Sequence, residues 1–515
     1  MDAPRHPAPD AGPARGPRPP LVPIERLDAV PDAALAALAA AAARHGFDSE
    51  ALAEAERLLP AMAEAMRGPA IRAALAARTE PRMALARLFA YDDAVPAERV
   101  QALLGAETTG ALAAAGLLEP APAPRGAGWR ARGRLMPFEG LLVWSDRPDA
   151  GDAAVMGPGA TTQGAARLLP ARIAGDVLDV GCGAGSFALL AARRGARRAT
   201  GVDIAPRAVA LARFNARLNR VTAEFAAGDL LAPVAGRAFD LIVAQPPYVV
   251  EPEGLGGVTY LHGGARGDAV LRRLLAGLGR ALAPGGRALV VADLWLPRGA
   301  TLHETLRAHL GDPALDLVTL AAPGLSAPIQ AAAYASLDDP SLGERYAWAV
   351  ARYLEHFAAL DAQPVHAALV VRRRAHAAPE ALTVTVPVAG FAGRDGRDVD
   401  QLLAAMDLLG APDATLLRAA LRASRHATWV EERRAPDPAA EARYSVRFER
   451  GALARDRELS GSSLVLAATL DAAPSVAAAV ERWAAEVGAS PAEVRDEVLA
   501  FARDGLASGL LVPAS

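Results

Sequence analysis

The 515-residue chain reads as an α/β protein built on a doubly wound, mainly parallel sheet over residues 149–376, with smaller modules on both sides. Three observations predict this. The apolar stretch Asp176-Val-Leu-Asp-Val180 breaks into Gly181-x-Gly183-x-Gly185 and then into a helical pattern. A second apolar stretch ends at Gly201-Val-Asp203-Ile204, about 20 residues beyond the glycines, the spacing of a second strand end. Two more stretches end at Ala227-Gly-Asp229-Leu230 and at Leu241-Ile-Val-Ala244, so strands and helices alternate as parallel sheets require.

Taken in order, residues 1–23 are rich in proline, arginine and alanine without a periodic apolar face, and are expected to be disordered. Residues 24–148 turn helical, with helices from Asp32 to near Gly46, from Ser49 to about Met66, over Val95–Gly105 and over Thr108–Leu118. Strand-like Trp129–Arg132 and Gly140–Trp144 follow, a layout that resembles a winged-helix module. Arg125, Arg130, Arg132 and Arg134 fall on or near its wing, where they serve either as a nucleic-acid contact or as a solvated face. After the central strands, a long amphipathic helix ends at Leu282-Ala-Pro-Gly285-Gly286 and is followed by the strand Arg287–Asp293. Residues 296–343 read as an irregular insertion, and a helix from Glu344 to about Ala359 with a strand over His366–Arg372 is expected to finish the sheet at its edge. Residues 390–515 read as a separate α+β module. Its end, helix, turn at Gly488-Ala-Ser-Pro491, helix and strand-like Gly509–Val512, is again winged-helix-like, a layout that suits protein docking as readily as DNA binding.

The chemistry centres on the glycine loop. Gly181, Gly183 and Gly185 permit positive φ and a close approach of backbone to ligand. A dinucleotide loop asks for G-x-G-x-x-G, whereas the third glycine here comes one residue early and Ser186 takes its place, which argues against NAD. Asp203 stands where an acid binds ribose hydroxyls, and it also suits a helix N-cap because Ile-Ala-Pro-Arg follows. Phe239-Asp-Leu-Ile-Val-Ala-Gln245-Pro246-Pro247-Tyr248 ends a buried strand at the carboxyl edge of the sheet. The two prolines remove N–H donors there and leave carbonyl oxygens and the Gln245 amide as acceptors.

These four segments in this order resemble a class I S-adenosylmethionine-dependent methyltransferase with a Rossmann-like core. The Pro-Pro-Tyr segment, the later Tyr260-Leu-His262-Gly263-Gly264 and the Leu-x-Pro-Gly-Gly turn resemble the release-factor glutamine methyltransferases of the small-domain group. The likeness covers residues 150–300. It implies S-adenosylmethionine as cofactor, held by Asp179, Gly181, Gly183, Gly185, Asp203, Ile204, Asp229 and Leu230. Asp179 would complement the cationic methionine end and Asp229 would face the adenine amino group. It implies an acceptor site at Gln245, Pro246 and Tyr248, where related Asn-Pro-Pro-Tyr enzymes hold a planar amino or amide nitrogen. Glutamine replaces asparagine here, and its extra methylene moves the acceptor by about 1.5 Å, a shift that matters to an in-line displacement. Thr161 and Thr162, after Gly157-Pro-Gly, are candidates for cofactor contact or for helix capping. His262 is the histidine nominated as a general base, with a solvated or structural role as its alternative.

Composition adds limits. All 55 basic residues are arginine, which reads as codon bias of a GC-rich bacterial genome, and the net charge of −3 exerts no global pull on nucleic acid. The single cysteine, Cys182, cannot form an internal disulfide and reads as a small buried filler in a reducing cytosol. The histidines lack metal-ligand spacing, so no metal is expected, and no apolar run spans a bilayer. The expected protein is a cytoplasmic methyltransferase, without a membrane association, acting on a protein or peptide amide. An RNA base or small metabolite is the alternative acceptor, and a non-catalytic docking protein on the same fold is the alternative of another class.

Overall fold

The computed structural model describes residues 12–13, 19–58, 64–123, 126–256, 261–339, 342–375, 381–388, 395–432, 442–449 and 456–514, with side chains described from residue 70 in the segment that begins at 64. It divides into two compact units, the first comprising most of residues 1–385 and the second most of 386–515. Residues 24–148, read above as their own module, fall in the first unit. Most of the expected N-terminal tail, and Arg125, lie outside the described residues.

An eight-stranded sheet forms the frame of the first unit. Its strands are β1 (Asp176–Val180), β2 (Arg198–Asp203), β3 (Glu224–Ala227), β4 (Phe239–Ala244), β5 (Leu282–Pro297), β6 (Asp316–Pro323), β7 (Ala362–Arg372) and β8 (Thr383–Pro387), in the order β8-β6-β7-β5-β4-β1-β2-β3. β1 pairs in parallel with β2 and β4, β2 with β3, and β4 with β5, whereas β7 runs antiparallel to β5. β1 is buried along its length, with Asp176 and Asp179 among its apolar residues, and the middle of β4 is apolar and buried, as strands covered on both faces must be. The chain steps outward from β1 through β2 to β3, then returns to the other side of β1 with β4. That reversal makes the gap above β1 and β4 the topological switch point, where open α/β sheets bind ligands.

Two sequence expectations are corrected. The stretch 296–343 is not irregular: it holds a helix over Leu302–Leu310, strand β6 and a helix over Ala327–Asp338. Its alanine and proline content hid these elements, because alanine gives little hydrophobic contrast between helix faces. The edge position expected for β7 is the second, because strand order depends on pairing between residues far apart in sequence. β7 is an inner strand between β5 and β6, and its burial on Ala367–Val371 reflects that position. The described wing arginines are also accounted for by pairing: Arg130 and Arg132 reach Glu119, and Arg134 reaches Asp92. These ion pairs satisfy the charges within the unit and favour the solvated-face reading over nucleic-acid contact.

The second unit has its own apolar core, with Val476, Val480, Trp483, Val494, Val498, Leu506 and Leu511 among the buried residues. Helices Val476–Val487 and Pro491–Ser508 carry it, the latter opened by a Ser490–Glu493 capping box and closed by Gly509 at φ +73°. No helix among the described residues is long and apolar enough to cross a membrane.

Candidate active site

Each of the first four strands delivers one site segment to the same sheet edge. β1 ends in the glycine loop, whose three glycines have φ of +71°, +52° and +91°. They differ in purpose. A Cβ on Gly181 would meet nothing within 4 Å, so its open side is room for a ligand. A Cβ on Gly185 would lie 3.0 Å from that of Ala212 and 3.4 Å from the Phe225 ring, so this glycine lets the helix Ser186–Arg193 pack closely.

Asp203 ties β2 to that loop. One carboxylate oxygen accepts the Gly183 N–H at 2.8 Å and the other accepts the Ala205 N–H at 2.9 Å. The N-cap of the following helix is Ala205, so Asp203 supports that helix start from two residues upstream. Burial raises its pKa above the ordinary carboxylate value, opposed by these two backbone donors. Ile204 beside it is 64 % exposed, an apolar face turned outward at the strand end, where a planar base could rest.

Asp179 sits lower. It is 1 % exposed and accepts the Ala188 N–H at 2.9 Å, anchoring the first turn of the helix after the loop. Desolvation pushes its pKa up to about 7, with the Asp203 charge adding to the effect and the backbone donors of Ala188 and Phe187 opposing it. The structure therefore places it beneath the loop rather than on its open side. Asp229 is half-buried after β3 and forms an ion pair with Arg273 of the helix Ala269–Ala281. Leu230 next to it adopts φ +49°, a conformation rare for a branched side chain. Cys182 is buried as a filler, and desolvation raises its thiol pKa well above normal.

At the end of β4, Pro246 is buried and Gln245 and Tyr248 are half-buried. The segment is held from behind by the glycine-rich turn: Gly263 donates to Val249 O at 2.8 Å, and a Cβ on it would lie 2.6 Å from Pro247 O. Thr161 and Thr162 lie within the helix Ala160–Leu168 rather than at its cap. Thr162 Oγ1 donates to Gln245 Oε1 at 3.0 Å, which brings two separately nominated residues together. His262 is largely buried, with Nε2 3.4 Å from Tyr353 Oη and Nδ1 3.9 Å from a Glu251 carboxylate oxygen.

Sequence reasoning missed several residues. Asn215 is fully buried and bonds Trp144 through its N–H and C=O and the glycine-loop carbonyl of Ala184. A polar residue inside an otherwise buried helical stretch was its available clue. Asp293 on β5 accepts from Tyr334 at 3.1 Å and contacts His366 Nδ1 at 2.6 Å, a pairing created by the antiparallel β5–β7 register. Nothing local in the sequence announces that register. Among the described residues no cluster of His, Cys, Asp or Glu could hold a metal ion.

A doubly wound sheet with a glycine loop and a strand-end carboxylate at its switch point has the layout of a nucleotide-type cofactor site. Residues 160–311 match the family model described as methyltransferase small domain. The chain is 34 % identical over 151 residues to the release factor glutamine methyltransferase of Koribacter versatilis, covering 27 % of this chain and 53 % of that one. It is 40 % identical over 141 residues to the protein of that name from Deinococcus radiodurans, covering 25 % and 49 %. It is also 40 % identical over 145 residues to the ribosomal protein L11 methyltransferase of Laribacter hongkongensis, covering 26 % and 48 %. The chain spans about half the length of the curated relatives it matches.

Proposed function

We propose that the protein transfers a methyl group from S-adenosylmethionine to a nitrogen of a protein side-chain amide. The observation that carries this reading is the placement of an open glycine cradle at Gly181 and the Gln245–Pro247 segment, whose two prolines lack N–H donors, at the ends of neighbouring strands β1 and β4. The residues present fit the cofactor. Asp203 offers lone pairs to the ribose hydroxyls, Ile204 offers an apolar face to the base, and Gly181 leaves backbone exposed to the methionine end. When bound, the cofactor supplies an electrophilic methyl on a sulfonium. The chain's part is to position: Gln245 and the Pro246 carbonyl accept from the target N–H₂, and Tyr248 packs on the planar group. Orientation of this kind accounts for much of the acceleration of a displacement reaction. The names of the relatives, which include enzymes acting on release factors and on a ribosomal protein, support a protein acceptor in the translation apparatus. A place in the cytoplasm follows from such an acceptor.

Calorimetric titration with S-adenosylmethionine and S-adenosylhomocysteine tests the cofactor. Micromolar binding of both supports the reading, and absence of both overturns it in favour of a docking protein. Labelled-methyl transfer into the protein, RNA and small-molecule fractions of a lysate then tests the acceptor, and label confined to RNA or metabolites would overturn the amide assignment.

A further inference from the structure

We infer that Thr162 is a positioning residue that holds the Gln245 side chain in one place at the proposed acceptor site. The inference rests on the proposed methyl transfer and adds to it a residue that sets acceptor geometry. A threonine in a helix usually returns its hydroxyl bond to the carbonyl one turn back. Thr162 instead donates across 83 positions of sequence to Gln245 Oε1 at 3.0 Å, in a half-buried setting. Gln245 has one more rotatable bond than asparagine, so an untethered side chain would spread its amide over several rotamers at the place where an ångström counts. The Thr162 hydroxyl removes that freedom by holding Oε1 in one place.

The tether is itself fixed. Seven residues before Thr162, Val155 is clamped to Asp146, donating to the carboxylate at 2.9 Å and accepting the Asp146 N–H at 3.1 Å. The Asp146 carboxylate is held in turn by Arg207 at 2.7 and 2.5 Å, in the first turn of the helix that follows Asp203. Between clamp and tether, the Met156 carbonyl lies 3.6 Å from the place of a Cβ on Gly183. Residues 155–162 thus run from the glycine loop to the acceptor residue, and Thr162 sets the acceptor amide in a fixed relation to the cofactor cradle.

The test compares wild type with Thr162→Val, which keeps shape and loses the hydroxyl, and Thr162→Ser, which keeps the hydroxyl. Three readouts are taken: S-adenosylmethionine affinity, the rate of tritiated-methyl transfer to lysate protein, and the side-chain amide ¹⁵N–¹H resonances of Gln245, assigned with Gln245→Ala. In Thr162→Val, affinity should stay within about threefold, turnover should fall about tenfold, and the Gln245 resonances should shift and narrow towards a mobile amide. Thr162→Ser should restore turnover and resonances. In Gln245→Asn the shorter side chain loses the tether, so adding Thr162→Val to it should cost nothing further. Unchanged Gln245 resonances in Thr162→Val, or additive losses in the double variant, would overturn the inference. Failure of wild type to bind the cofactor would overturn the methyltransferase reading instead, and the resonance comparison would still decide the tether.

Discussion

Asp179 and Asp203 stand near the ends of two successive strands and look alike in the sequence pattern, yet their surroundings separate them. The unfolded chain ionises an aspartate near pH 4, whereas buried Asp179 holds its proton up to about 7. Between those values the folded state binds a proton that the unfolded state has released, so stability falls as pH rises through this window, by up to about 4 kcal/mol. Urea unfolding from pH 4 to 8 should show that decline, and Asp179→Asn should remove most of it. Asp203, raised in the same direction by burial, leaves a smaller residual slope. Its substitution acts on binding. Asp203→Ala strands the Gly183 and Ala205 N–H groups, and calorimetry should show cofactor affinity reduced about 100-fold or more. Gln245→Ala should abolish turnover with affinity within about threefold of wild type, since Gln245 lies just after β4 in the proposed acceptor segment.

The glycine loop and its helix make a corresponding contrast at the level of elements. Gly181 and Gly185 share a left-handed backbone, so alanine strains both by about 1 kcal/mol. Only Gly185 has a neighbour in the way, Ala212 on the helix Pro206–Asn219. Gly185→Ala should therefore lower the thermal midpoint clearly further than Gly181→Ala, while Gly181→Ala should lose cofactor affinity with the milder stability cost. Equal stability losses would contradict the division of roles between the two glycines. The loop, the carboxylate at the end of β2 and the Pro-Pro-Tyr exit of β4 were legible because each is a local pattern in which glycine, proline and a strand-end acid have few other uses. The helices and strand within 296–343 were not, since alanine-rich helices carry little hydrophobic contrast and their packing partners are distant in sequence.

For the whole molecule, the two compact units each own a core, and that of the second gathers around Trp483, which is 4 % exposed. Trp483→Ala should cost the second unit about 3–5 kcal/mol, seen as an earlier unfolding transition, while cofactor affinity in the first unit is retained. A parallel loss of affinity would mean that the sheet depends on this core. The sequence by itself determined the α/β class, the left-handed glycine loop after β1 and the proline-stiffened exit of β4, because these rest on backbone conformations that particular residues permit or forbid within a few positions. Tertiary structure alone decided that β7 lies inside the sheet, that Asp179 lies under the loop, that Arg273 meets Asp229, and that Thr162 meets Gln245. Those outcomes depend on strand order and helix packing, which join residues tens of positions apart through contacts that no short window of sequence contains.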